Sequence, residues 1–218
     1  MIASGPTYPD SSTSSHAKAI AGKYSISLSP VIEACFRMET PKTLGNVETI
    51  VTGSVRELCA AAAEACNALG YMPYILTDSL NCEAREAGAF LAAIARAHQN
   101  TDRSLAFLAG GETVVHLTGS GMGGRNQELA LSAAEGIAGL RDTAVFSIGS
   151  DGTDGPTDAA GGFVTGQTKD DLGKKGIQIF DVLKNNDSYH ALKLCDGLLH
   201  TGATGTNVND VAVLLIRR

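Results

Sequence analysis

Apolar and polar positions change period several times along the chain, and each change marks an element. Residues Val47–Thr52 alternate and predict a strand. From Ser54 the period becomes helical. Ser54 with Glu57 three residues on forms a capping box, the pattern runs to Leu69, and Gly70 ends it. Met72–Thr77 predicts a second strand, and Glu83–His98 a second helix with Ala87, Phe90, Leu91 and Ile94 on its apolar face. Leu105–Leu108 is a short apolar strand running into Gly110-Gly111, and Thr113–Leu117 alternates as another. A glycine loop then leads into a helix from Arg125 to about Ile137, followed by a strand over Thr143–Ile148 that enters a Gly/Asp loop. Two short helices are expected over Lys169–Gly176 and Gln178–Ala191, and Val211–Ile216 closes the chain as a strand. Strands alternating with helices of this length predict an α/β fold: a layered, mostly parallel or mixed sheet with helices on both faces. Ligands of such sheets gather beyond the strand C-termini, where glycine-rich loops fall in this sequence.

The stretch before Val47 has a different character. Ser4-Gly5-Pro6, Pro9-Asp10 and the Ser/Thr cluster Ser11–Ser15 are turn chemistry and predict a connecting loop. A short helical pattern follows from Pro30 through Val31, Ile32, Cys35 and Met38, and Pro41 ends it. Residues 1–45 therefore read as a linker, and 46–218 as the α/β domain.

Composition narrows the function. The chain has 218 residues, with 17 basic and 23 acidic side chains and a formal charge of −6. That balance argues against a nucleic-acid partner. No apolar run approaches the ~18 residues of a membrane span. The start lacks the charged and apolar regions of a secretory signal, so a cytoplasmic protein is expected. The five cysteines (Cys35, Cys59, Cys66, Cys82 and Cys195) have no metal-ligand spacing and predict free thiols in a reducing compartment. Cys59 and Cys66 are spaced as one buried helix face.

Four loops carry candidate chemistry. In Gly110-Gly111-Glu112-Thr113 the glycines allow close backbone approach and Glu112 offers a carboxylate to a metal ion or hydroxyl. A tight turn with Glu112 in solvent explains the same residues. In Gly119–Glu128, exposed amides before a helix plus Arg125 suit an anion. Gly119, Gly121 and Gly124 match G-x-G-x-x-G, but the acid expected after the next strand is missing, which disfavours a dinucleotide site. In Gly149–Asp158, the carboxylates Asp151, Asp154 and Asp158 suit Mg²⁺ or a general base, or else form Asx-turns. In His200–Asn207, Thr204 and Asn207 lie among glycines that either cradle a phosphate or make a plain turn. A basic anion site beside an acidic metal site is the layout of phosphoryl transfer.

Several stretches together resemble the glycerate 2-kinase family and specifically its C-terminal MOFRL domain. They are IASGPTYPD (2–10), ETPK (39–42), CEAREAG (82–88), AGGET (109–113), GGRNQELAL (123–131), GSDGTDGPTDAAG (149–161) and TGATGTNVND (201–210). The resemblance implies an enzyme that transfers the ATP γ-phosphoryl group to the 2-hydroxyl of D-glycerate with Mg²⁺. It implies catalytic roles for Arg125 and Asp154, and metal ligation by Asp151, Asp154 or Asp158. Substrate or nucleotide contacts would fall to Gly110, Gly111, Glu112, Gly121, Gly123, Gly124, Asn126, Thr204 and Asn207. Met122 stands where the family usually has a basic residue. Family members carry an N-terminal Rossmann-like domain ahead of the IASGPT stretch, so residues 1–45 resemble the linker to, and a remnant of, such a missing N-terminal domain. Two other readings follow: a fragment active only with a separate N-terminal domain or a second copy, and a hydroxypyruvate reductase, as some relatives have been labelled.

Overall fold

A computed structural model describes residues 9–48 and 50–218. The chain divides into two compact units, Met1–Val51 and Thr52–Arg218.

The first unit contains α1 (Ser14–Lys23) and α2 (Pro30–Cys35). The expected connecting loop is in part a helix. Thr13 caps α1 by accepting from the His16 amide, and the His16 side chain accepts from the Thr13 amide in return. The serine-rich run is thus helix-start chemistry rather than turn chemistry. The PD and ETPK stretches meet in this unit: the Asp10 amide donates to Pro41 O at 3.3 Å and Thr40 Oγ1 to Asp10 Oδ2 at 3.1 Å. The strand expected over 47–52 does not form among its described residues, and position 49 lies outside them.

The second unit runs α3 (Val55–Ala68), β1 (Met72–Leu80), α4 (Ala84–Ala97), β2 (Leu105–Gly111), α5 (Arg125–Ile137), β3 (Thr143–Gly149), β4 (Gly161–Thr165), α6 (Thr168–Lys174), α7 (Ile179–Lys184), α8 (Ser188–Leu194), β5 (Leu198–Leu199) and β6 (Asp210–Ile216). Ser54 caps α3 by accepting from the Glu57 amide at 3.3 Å. The six strands form one sheet in the order β1-β2-β6-β3-β4-β5.

The sheet is mixed rather than mostly parallel. Only β1 and β2 pair parallel, and every other neighbouring pair is antiparallel. The expected β-α-β units are present in β1-α4-β2 and β2-α5-β3. The last strand, β6, is inserted between β2 and β3 antiparallel to both. Chain order could not show that insertion, because β6 joins the sheet from the far end of the sequence.

Helices cover both faces. On one, Cys59 and Cys66 of α3 pack with Ala106, Leu108, Val211 and Val213. On the other, α4 and α5 bury Ala87, Leu91, Leu129, Ala133 and Ile137 over Phe107, Val145 and Leu214. Among the described residues no helix is long and apolar enough to cross a membrane.

Three further differences bear on the site. The alternating stretch Thr113–Leu117 forms no strand. Gly111, at φ +150°, turns the chain out of the sheet, leaving a single bridge between Val114 and Glu83. The expected helix over 178–191 is two helices, α7 and α8, broken at Asn186 with φ +54°. Strands β4 and β5 were missed because Gly161-Gly162 reads as loop and β5 has two residues.

Candidate active site

The C-terminal ends of β2 and β3 and the N-terminal end of β6 lie side by side, and the N-terminus of α5 meets them. In register, Asp210 of β6 stands between Gly111 of β2 and Gly149 of β3. This is the strand-end position where α/β sheets bind ligands. A cleft of about 600 Å³ opens there, lined by Glu112, Thr113, Gly121, Gly123, Gly124 and Arg125, with Val114, Leu117 and Pro156 on its apolar side.

Arg125 is the first residue of α5. Its Nε donates to Asp210 Oδ2 at 2.5 Å and its Nη2 to Oδ1 at 3.0 Å, a bidentate fork. Its Nη1 lies 3.4 Å from Glu112 Oε1. The hydrogen bond to Asp210 above all, and the charges of Asp210, Glu112 and Asp154, hold the guanidinium protonated, against a partial burial that opposes it. A cation at a helix N-terminus opposes the helix dipole, so these carboxylates are what make the position tenable.

Asp154 is only 2% exposed. It accepts from the Asn126 amide at 3.1 Å, the Gln127 amide at 2.9 Å and Asn126 Nδ2 at 3.3 Å. It is therefore the N-terminal cap of α5, supplied from another loop because Gly124 has no side chain to cap with. Burial pushes its carboxyl above the ordinary value, against the opposing pull of those donors and of Arg125. Gly124 is required by this contact: a Cβ there would stand 2.2 Å from Asp154 Cγ.

The three aspartates read as a metal set point to different partners. Asp151 Oδ1 accepts from the Thr153 amide at 2.9 Å and its Oδ2 from Asn207 Nδ2 at 3.4 Å. Asp158 accepts from the Tyr189 hydroxyl at 2.8 Å, which holds its carboxyl below the ordinary range. Among the described residues no three His, Cys, Asp or Glu side chains converge as a metal cluster. Asp151 and Asp210 do share a side: a Cβ at Gly149 would lie 3.2 Å from Asp151 Oδ1 and 3.4 Å from Asp210 Oδ1. Asp210 is committed to Arg125 and Asp154 to the helix, which leaves Asp151 as the less engaged carboxylate of this edge. The 200–207 loop is tied to this edge, with the Thr204 amide donating to Asp151 O at 3.2 Å and Thr204 Oγ1 to Ser150 O at 2.5 Å.

The glycine loop differs from the open cradle its sequence suggests. The Thr118 and Gly119 amides donate to Asn186 Oδ1 at 2.8 and 2.9 Å, Ser120 to Asn185 Oδ1 at 3.2 Å, Gly121 to Asn185 O at 2.8 Å and Met122 to Asp187 Oδ1 at 2.9 Å. Side chains at Gly119, Gly121 and Gly123 would strike residues 185–188. These glycines let the 185–188 turn close on the loop, and five of its amides are already satisfied by protein. Gly110 similarly makes room for α3, where a Cβ would meet Cys59 Sγ, and it lies outside the cleft.

Of the run Arg125-Asn126-Gln127-Glu128, only Arg125 and the edge of Glu128 reach the cleft. Asn126 is buried and bridges Ser147 Oγ (2.5 Å) to Asp154. Gln127 donates to Thr157 Oγ1 at 2.8 Å. Glu128 is buried against Arg85 at 3.1 Å and Asn186 Nδ2 at 3.1 Å. Asp210, Asn186 and Glu128 are the important residues that sequence reasoning missed. For Asp210 and Glu128 the one signal was membership in the family-like stretches, and for Asn186 there was none, since spacing cannot pair residues this far apart.

This architecture defines a class: an α/β protein presenting one arginine, held by carboxylates, to a cleft at the strand ends. Residues 105–210 match the MOFRL family. The chain is 50% identical over 220 residues to D-glycerate 2-kinase of Thermotoga maritima, covering 99% of this chain and 53% of that protein. A glycerate kinase of Macaca fascicularis is 32% identical over 271 residues, covering 100% of this chain and 68% of that protein. A crystal structure of Thermotoga maritima glycerate kinase superposes with a TM-score of 0.84 at 50% identity, over 98% of this chain and 53% of that one. The chain belongs to the glycerate 2-kinase family, and it spans about half the length of the Thermotoga maritima relative.

Proposed function

We propose that the chain carries one half of a glycerate 2-kinase active site, the half that binds the reacting anion. The reaction passes the γ-phosphoryl group of ATP to the 2-hydroxyl of D-glycerate. The carrying observation is Arg125: a permanent cation lining a cleft of about 600 Å³, in a chain 50% identical to a D-glycerate 2-kinase. Phosphoryl transfer asks the protein mainly for positioning and for positive charge on the transferring oxygens. Arg125 supplies that charge through Nη1, to the glycerate carboxylate or to the phosphoryl group. Glu112, beside it at the cleft rim, is placed to accept from a substrate hydroxyl. Asp154 acts from behind, fixing the start of α5 and with it the Arg125 backbone. Mg²⁺ bound to the ATP phosphates would neutralise their charge, and the half-buried Asp151 would hold it. Arg125 is a charge held in place by the Asp210 fork, so little reorganisation of it accompanies transfer.

The test is ³¹P NMR of the chain with Mg-ATP and D-glycerate, alone and mixed with the part of the Thermotoga maritima relative that this chain does not cover. The expected product is 2-phosphoglycerate in at least one of the two samples. Absence of product from both, with circular dichroism showing folded protein, overturns the proposal. A hydroxypyruvate reductase reading is separated in the same samples by adding NADH and hydroxypyruvate and following NADH absorbance, which is expected to stay constant.

A further inference from the structure

The guanidinium of Arg125 has three hydrogen-bonding edges, and the structure commits them unequally. Asp210 takes Nε and Nη2 with both carboxylate oxygens, at 2.5 and 3.0 Å. Glu112, on the exposed rim, reaches only Nη1, at 3.4 Å. The Asp210 side chain is 8% exposed and the Glu112 side chain 56%. One partner is buried and fixed, and the other is displaceable.

The setting of Asp210 reinforces the contrast. It opens β6, a strand hydrogen-bonded on both sides, so its backbone is held by two neighbours rather than by a loop. Its register partners on those strands are Gly111 and Gly149, and neither places a side chain beside it. A Cβ at Gly149 would lie 3.4 Å from Asp210 Oδ1, so glycine there leaves the carboxylate free to meet Arg125. A guanidinium gripped on two nitrogens by a fixed carboxylate cannot rotate about its terminal bonds without breaking both contacts.

We infer that Asp210 is the positioning residue of the cleft: it grips the Nε and Nη2 edge of Arg125 and thereby turns the Nη1 edge toward the incoming anion, which displaces Glu112. This rests on the reading of Arg125 as the anion-binding residue. Asp210 itself touches no substrate atom. Its removal leaves the positive charge in the cleft and takes away the charge's fixed direction.

That separation gives a signature distinct from a loss of folding. Turnover of D-glycerate is compared in wild type, Asp210→Asn, Asp210→Glu and Arg125→Ala. Asp210→Asn is expected to lower kcat about a hundredfold, as misorientation does, while KM for D-glycerate stays unchanged or falls because a negative charge beside the anion has gone. Asp210→Glu, which keeps the charge, is expected to recover part of kcat. If both Asp210 variants keep kcat within about threefold of wild type while Arg125→Ala is inactive, the positioning role is overturned and the reading of Arg125 stands. If Arg125→Ala keeps full activity, the reading of Arg125 falls and the role of Asp210 falls with it.

A spectroscopic arm needs no turnover and covers the case in which Asp210→Asn fails to fold. The Arg125 Nε–H resonance, identified in ¹⁵N-labelled protein by its loss in Arg125→Ala, is expected in slow exchange with water in the wild type. Fast exchange of that proton in the wild-type protein overturns the proposal.

Discussion

Replacing Asp154 by alanine separates a cap from a ligand. In the structure this carboxylate accepts from two backbone amides at the start of α5 and from the Asn126 side chain, at 3.1, 2.9 and 3.3 Å. Gly124 precedes the helix and offers no substitute. Losing a cap costs about 1–2 kcal/mol, and leaving buried donors unpaired about 1–3 kcal/mol. Relief of the carboxylate's own burial offsets part of this, so Asp154→Ala is expected to cost about 2–4 kcal/mol. With about 5–15 kcal/mol of total stability to lose, that is a large fraction. At about 2–4 °C per kcal/mol for a domain of this size, the main thermal transition falls by roughly 4–16 °C. Urea unfolding followed by circular dichroism measures the free energy, and the same change at the half-buried Asp151, whose hydrogen bonds to Thr153 and Asn207 are solvent-exposed, is the control. A loss below about 1 kcal/mol at Asp154, or equal losses at both positions, refutes the capping role. An increase in stability would be the mark of a carboxylate kept for ligand binding at the expense of the fold.

Other consequences follow from the same contacts. Because burial raises the Asp154 carboxyl above its unfolded value, the stability it contributes is present at low pH and lost as pH rises through its folded-state value. Asp154→Asn does not titrate, so the wild type should lose stability relative to it across that acid window, read from urea midpoints at a series of pH values; a flat difference contradicts the shift. A thiol reagent should modify exposed Cys35 in the native protein, while Cys59 and Cys66, buried under α3 with thiols pushed upward by that burial, react only on unfolding. Rapid labelling of Cys59 would contradict the packing of α3. Glu112→Gln removes the displaceable partner of Arg125 and should tighten inorganic phosphate binding up to about fivefold, the worth of an exposed pair, with the gain shrinking as salt is added. Weaker phosphate binding in calorimetry would show that Glu112 supports the anion site rather than competing for it.

The sequence carried much of this fold where the forces are local. Ser54 with Glu57 marks the start of α3, Gly124-Arg125 the start of α5, and unbroken apolar runs mark β2 and β6. The placement of β6 was not legible, because its pairing with β2 and β3 is decided by burial on both faces and not by any neighbour in the chain. The same limit governs the site. Arg125 could be picked out as a cation at a glycine loop. Its partner Asp210 stands 85 positions away, at a place that reads as an ordinary strand start. The glycines of 119–124 look like a phosphate cradle because glycine permits close approach, and local sequence cannot say that the approaching group is the 185–188 turn. Asn126 reads as a ligand contact and Glu128 as part of the glycine-loop stretch; their partners, Ser147, Asp154, Arg85 and Asn186, are assembled only by the fold.

The most direct measurement of the central claim is the turnover of Mg-ATP and D-glycerate by Arg125→Ala beside the wild type, followed by ³¹P NMR under conditions where the wild type forms 2-phosphoglycerate. The expected result is a rate at least about a hundredfold lower, the cost of removing a preorganised charge from the transferring group, from a protein whose circular dichroism and melting curve show the fold intact. Near-wild-type turnover in Arg125→Ala would contradict the account.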